Sequence, residues 1–343
     1  TGMRTSTGEA TFAVYGFVSI MLNAIREHNP SHIAVSFDIG RTFRDDLYDA
    51  YKAGRAETPQ EFHSQLERIK EMMHAFNIPI YVSKGFEADD VLGTLARQAT
   101  ALNVETYILT GDSDTLQLVN SHVRVVLANP YGQRMSSIVY DEAKVIERYE
   151  GLKPYQLADL RGLKGDTSDN IPGVKGIGEK GAITLLNQFG TVGEIFANIE
   201  LVPNRYKKIL TGQLEAAEFS KRLATIVVDV PIELHMDDCA INHYDKQKVI
   251  RFFQSLEFGQ SLISRLPTPV TPASTVALPE TPKATPAYIP SQQLDMFGTM
   301  VTHQTTLRSG YHTVLTLEQL AEVVSQCLAT GAFAFDTETT AVS

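Results

Sequence analysis

Over the first 130 residues, short runs of β-forming residues alternate with amphipathic helical segments, and this alternation most narrows the folds open to the chain. SHIAVSFD (31–38) sets Ile33, Val35 and Phe37 on one side of an extended segment and ends in an acid. FHSQLERIKEMMHAF (62–76) brings Phe62, Leu66, Ile69, Met73 and Phe76 to one helical face. NIPIYVSKG reads as a short strand, ADDVLGTLARQATAL (88–102) as a helix, and VETYILTGD and HVRVVLAN as further strands. Strands separated by helices pair in parallel through crossovers, so the pattern predicts an α/β fold with a largely parallel sheet and helices on both faces. Ligands gather at the carboxyl ends of such strands. Asp38, the cluster around Glu87, and Asp112 all fall there.

From about residue 141 to 258 the pattern turns helical: DEAKVIERYEG, KPYQLADLRGL, GAITLLNQFG and TVGEIFANI are separated by Gly and Pro. Seven prolines in the 24 residues 267–290 then mark an extended linker that cannot bury a core. A new strand-helix-strand unit, ending in GAFAFDTETT, follows it. The expected organisation is an α/β domain over 1–140, a helical subdomain over 141–266, a linker over 267–311 and the start of another domain over 312–343. A chain of 343 residues has room for this, at roughly 100–200 residues per domain.

Apolar residues make up 43% and charged residues 20% of the chain, as in an ordinary globular protein. No apolar run suits a membrane span or a signal peptide, so a cytoplasmic location is expected. Cys239 and Cys327 sit in no zinc-binding spacing. The net charge of −10 argues against a nucleic-acid partner only if the acids are spread evenly, and they are not.

Eight acids fall into four groups: Asp38; Glu87, Asp89 and Asp90 in FEADD; Asp112 and Asp114 in TGDSD; Asp166 and Asp169 in GDTSD. Singly, each is consistent with helix capping or turn chemistry. Together, on one sheet edge, they would repel one another by several kcal/mol unless cations intervened. An all-oxygen set favours Mg²⁺, with Mn²⁺ substituting, and two such ions suit phosphodiester hydrolysis. A competing reading takes YILTGDSDT as the nucleophile motif of an aspartyl-phosphate phosphatase, with Asp112 attacking phosphorus. That motif normally opens its domain, whereas here about 100 residues precede it, and FEADD is left without a task.

IPGVKGIGEKGAITLLNQFG has the form of a helix-hairpin-helix, with its second helix starting near Glu179. Gly176 and Gly178 let backbone N–H groups face a phosphate, and Lys175 and Lys180 add charge without reading bases. Upstream, DIGRTFRDDLYDAYKAGRAETPQEF sets Arg41, Arg44, Lys52 and Arg55 among Tyr48 and Tyr51, suited to phosphate contact and stacking. A solvated mixed-charge helix is the alternative.

SFD, YKAGRAETPQEF, GFEADD, LTGDSD, LKGDTSDNIPGVKGIGEKGA and LEFGQSL occur in the order and spacing of the flap endonuclease family, and resemble the 5′-nuclease domain of bacterial DNA polymerase I over about residues 5–265. GAFAFDTETT resembles the first motif of a 3′→5′ proofreading domain, where Asp336 and Glu338 match its metal ligands. The resemblance implies a helical arch, two Mg²⁺ ions, and a DNA substrate with a 5′ flap or nick. It also implies a monomer continuous with a polymerase, and a hairpin that also holds a monovalent cation such as K⁺. It assigns Asp38, Glu87, Asp89, Asp90 and Asp112 to the first metal site or its water shell. Asp114, Asp166 and Asp169 fall to the second, and Lys52 and Arg55 to the scissile phosphate. The family opens with a strand bearing a metal-ligating Asp, whereas residues 1–12 carry only Arg4 and Glu9 as charged groups. The chain is therefore expected to be a fragment, and to bind DNA without cutting it if that ligand is missing.

Overall fold

In a computed structural model of the protein, residues 2–55, 59–129, 136–241 and 243–269 are described, all within the first of the chain's two units, Thr1–Thr275. The linker from residue 270 onward, the 312–343 segment, and Asp336 and Glu338 lie outside the described residues. The first elements are α1 (Phe12–His28), β1 (Val35–Ser36), α2 (Phe43–Leu47), α3 (Gln60–Ala75), β2 (Ile80–Tyr81), α4 (Ala88–Ala101), β3 (Thr106–Thr110), β4 (Val123–Asn129) and β5 (Ser136–Tyr140). There follow α5 (Glu142–Arg148), α6 (Leu157–Lys164), α7 (Glu179–Phe189), α8 (Val192–Ala197), α9 (Asn204–Leu210), α10 (Leu214–Ala224), α11 (Lys246–Ser255) and α12 (Gln260–Ile263).

The class is α/β, and the expected sheet comes in two pieces. β1 pairs with β2 in parallel through Val35–Ile80 and Ser36–Tyr81, while β3 and β4 form a longer parallel ladder from Thr106–Val123 to Thr110–Leu127. β5, which the sequence reading did not anticipate, runs antiparallel to β4, as a strand reached by a short connection must. α4 packs against both β1 and β3. Before α1 the described residues form only an isolated bridge between Arg4 and Ala10. Of the expected arch, the described residues show α2 and a run of turns to Gly54.

Two cores result. In the first, Val14, Val18 and Leu22 of α1 meet Ile69, Met72 and Met73 of α3, and Val249 and Phe253 of α11 close over them from far along the sequence. In the second, Ile108 and Val123 of the β3–β4 sheet join Leu160 and Leu163 of α6, Ile177, Leu185 and Leu186 around α7, Ile195 of α8 and Ala217 of α10. Side chains of this size contribute about 1.5–3 kcal/mol each when fully buried. The helical region is thus built directly onto the sheet that carries Asp112 and Asp114. At the α6–α10 crossing, a Cβ on Gly162 would lie 2.9 Å from the Ala217 carbonyl oxygen, so only glycine allows the two helices to approach so closely.

Candidate active site

Four acids gather around the start of α4. Asp38 follows β1 and accepts a hydrogen bond from the Ala88 amide at 2.7 Å, the orientation expected of an anion at a helix N-terminus. Glu87 is the N-cap of α4, in a capping box with Asp90, whose Oδ2 accepts from the Glu87 amide at 3.0 Å. Asp112, after β3, accepts from the Asp114 amide at 2.8 Å and so starts the 3₁₀ turn Ser113–Leu118. Asp89, in the first turn of α4, is affected by all three. Its carboxyl is pushed up to about 7, first by burial, then by the charges of Asp112, Asp38 and Glu87.

Asp90 has a different task from the one expected. It is wholly buried, and both its oxygens are engaged by Arg44: Nη1 to Oδ2 at 2.7 Å and Nη2 to Oδ1 at 2.8 Å. It also accepts from the Val227 amide at 2.8 Å, while Arg44 donates to the carbonyls of Leu223 (2.8 Å) and Thr225 (2.7 Å). Arg44 was expected on DNA. It is 3% exposed, each of its three nitrogens is hydrogen-bonded, and it ties α2 to α4 and to the end of α10. Tyr51, expected as a stacking residue, is likewise buried. Its hydroxyl donates to Glu87 (3.3 Å) and Asp169 (3.4 Å), and burial, with these two carboxylates beside it, pushes the phenol up.

The remaining acids face arginines. Arg161 on α6 reaches Asp114 Oδ1 with Nε at 3.0 Å and Nη2 at 2.5 Å, and Asp166 Oδ2 with Nη1 at 2.9 Å. Burial raises Asp114 despite Arg161. For Asp166, burial is outweighed by hydrogen bonds from Ser168 and by Arg161, and its pKa is lowered. Asp169 accepts from Arg55 Nη2 at 2.5 Å, and its carbonyl accepts from the Lys52 amide at 2.9 Å. Lys52 Nζ lies 2.7 Å from Glu87 Oε1. The segment 51–55 therefore ties the Glu87 group to the Asp169 group. The sequence reading missed Arg161. The one available signal was an arginine set among Leu157, Leu160 and Leu163, all buried in the helix that leads into GDTSD.

Among the described residues no group of three or more His, Cys, Asp or Glu side chains is arranged to hold a metal ion. The chemistry of the first group nevertheless fits one. Its donors are all carboxylate oxygens, suited to Mg²⁺ or Mn²⁺, and the burden on Asp89 is the kind a divalent cation relieves. The second group, Asp114, Asp166 and Asp169, is already paired with two arginines, Arg161 and Arg55.

The GDTSDNIPG loop closes as a tight hairpin in which Asp166 and Ile171 exchange backbone hydrogen bonds of 2.9 and 2.7 Å. It leads into VKGIGEKG, where buried Val174 and Ile177 anchor the turn and Lys175, Gly176, Gly178 and Lys180 face outward. Gly176 takes φ of 98°, and α7 begins at Glu179, as the motif predicts. Lys164 holds Glu179 at 2.7 Å and, by that hydrogen bond, keeps its carboxyl below the usual range.

No helix among the described residues is long and apolar enough to cross a membrane. Residues 1–150 match the 5′-3′ exonuclease, N-terminal resolvase-like domain, and residues 152–247 match the 5′-3′ exonuclease, C-terminal SAM fold. DNA polymerase I of Chloroflexus aurantiacus is 54% identical over 99% of this chain, which spans 37% of that protein. DNA polymerase I of Bacillus caldotenax is 41% identical over 78% of this chain and 30% of its own length. The chain thus spans about a third of these relatives. The fold is similar to that of a bacteriophage T5 5′-exonuclease with zinc bound (TM-score 0.52, 20% identity, 73% of this chain and 87% of that one). It is also similar to that of a T5 flap endonuclease in complex with DNA and metal ions (TM-score 0.53, 20% identity, 76% and 93%). Matched in order by both domains and along nearly its whole length by a DNA polymerase I, this chain belongs to the 5′-3′ exonuclease family of DNA polymerase I.

Proposed function

We propose that the chain is a Mg²⁺-dependent 5′→3′ exonuclease and flap endonuclease that hydrolyses DNA at 5′ flaps and nicks during primer removal and repair. In the full protein it acts as a monomer continuous with the polymerase, in the cytoplasm. The observation that carries this reading is the gathering of Asp38, Glu87, Asp89 and Asp112 about the start of α4, with the Asp89 carboxyl raised first by burial and then by the other three charges. A divalent ion held there by Asp38, Asp89 and Asp112, with Glu87 in its water shell, would supply an activated water and stabilise the leaving oxygen. Lys52 and Arg55, which lie against the acids in this conformation, supply positive charge for the scissile phosphate. Asp90 and Arg44 hold α4 and α2 in place for this chemistry. Lys175, Gly176, Gly178 and Lys180 grip the duplex backbone, with K⁺ as a candidate companion. The domain limits at 140, 266 and 311 belong to the same proposal, as do Asp336 and Glu338 as proofreading ligands.

The test is cleavage of a labelled 5′-flap duplex in Mg²⁺, with Asp112→Asn as the comparison. Loss of a metal-ligating carboxylate should cost about 100-fold or more. A variant that cuts as fast as the parent chain sinks the proposal. A second reading, DNA binding without cleavage, draws on the spacing of these acids, no three of which are set to hold one ion among the described residues. It predicts salt-dependent flap binding and background cleavage in the same assay. The aspartyl-phosphatase reading gains no support, because Asp112 serves as the cap of a 3₁₀ turn among other acids.

A further inference from the structure

The two groups of acids differ in how their charge is balanced. In the first, both ion pairs fall on Glu87, from Lys52 at 2.7 Å and from the buried Arg44 at 3.7 Å, and Asp38, Asp89 and Asp112 make none among the described residues. In the second, each of Asp114, Asp166 and Asp169 is paired with an arginine, Arg161 or Arg55. The two arginines are held differently. Arg55 is half exposed and reaches Asp169 from a turn, so water can replace it at little cost. Arg161 is 17% exposed and lies between carboxylates that are 19% and 11% exposed, bonded to one through two nitrogens and to the other through the third. Its helix cannot shift to withdraw it, because Leu160 and Leu163 are buried and Gly162 sits against the α10 backbone. Only the side chain can move.

Building on the divalent-metal reading above, we infer that Arg161 is the built-in counter-cation of the Asp114–Asp166 pair. A divalent ion loads first among Asp38, Asp89 and Asp112, and a second binds at Asp114 and Asp166 only by displacing the Arg161 guanidinium. Arg161 is thus a positioning residue. It keeps two carboxylates from different segments facing each other while no ion is bound, and it sets how weakly the second ion is held. A fixed positive charge within hydrogen-bond distance of both ligands opposes a cation there and leaves the first group untouched.

Binding of Mn²⁺ alone, followed by electron paramagnetic resonance on the full chain without DNA, tests this directly. The parent chain should bind one Mn²⁺, with a second at least about tenfold weaker. Arg161→Gln should tighten the second ion about tenfold and leave the first unchanged, whereas Arg161→Lys, which keeps the charge, should leave the second weak. Thermal melts establish whether each variant is folded, and if Arg161→Gln is not, the parent stoichiometry and Arg161→Lys decide. Two ions of equal affinity in the parent chain would overturn the inference but leave the metal reading intact, as would a folded Arg161→Gln with an unchanged second site. No bound Mn²⁺ in the parent chain or in Arg161→Gln would overturn the metal reading, and this inference with it.

Discussion

Gly165 and Gly173 cross backbone to backbone: a Cβ atom on Gly173 would lie 2.2 Å from the Gly165 amide nitrogen. Both take positive φ, 73° and 62°. The crossing fixes the loop that carries Asp166 and Asp169 directly before the lysine hairpin. Gly173→Ala combines a left-handed backbone with a clash against main chain, and should lower stability by about 2–3 kcal/mol in urea unfolding. Gly178→Ala, where a Cβ meets nothing within 4 Å and φ is −90°, should cost under about 1 kcal/mol as a changed helix cap.

Arg44→Ala should destabilise the chain by about 3–5 kcal/mol, because it leaves Asp90 buried and unpaired. The DNA affinity of the fraction that remains folded should keep its salt dependence. A shallower salt slope with full stability would return Arg44 to the DNA surface.

Lys175→Ala with Lys180→Ala should weaken flap binding and flatten the plot of log K against log salt by about two units of slope, one for each phosphate that no longer meets a lysine. Titration of labelled duplex between low and moderate salt measures it. Cleavage at saturating DNA should change little, since neither lysine lies among the acids.

Lys52→Ala should show the reverse pattern. Its ion pair with Glu87 is partly exposed, so stability should fall by under about 1 kcal/mol. The single-turnover rate should fall by about 100-fold, as for loss of one group that stabilises transition-state charge. Rapid-quench measurement on pre-bound flap separates this from a binding defect.

What the sequence revealed was local, and what it hid was tertiary. Period and composition located α3, α4, β3, β4 and α7, because each carries its own apolar pattern and turn signals. The four acid groups were legible because acids at strand and helix ends stand out against apolar runs. Burial was not legible. In RTFRDD, Arg44 reads as a charge for a phosphate, and only the fold reveals that Asp90 lies opposite it. The stripe expected from Phe62 to Phe76 holds at Ile69, Met73 and Phe76, but Phe62 is 39% exposed because it lies in the first turn, away from the core that α1 and α11 close. β5 escaped notice because SSIVY is short and takes its identity from the β4 edge it pairs with.

The second core runs without interruption from Ile108 and Val123, beneath the loop that bears Asp112, through Leu160 and Leu163 to Ile177 at the hairpin. Under the proposed function such a body would be a caliper, one jaw the lysine hairpin and the other the acids. A phosphate seated in the first jaw would then set the bond presented to the second by a count of nucleotides along the backbone and not by base sequence.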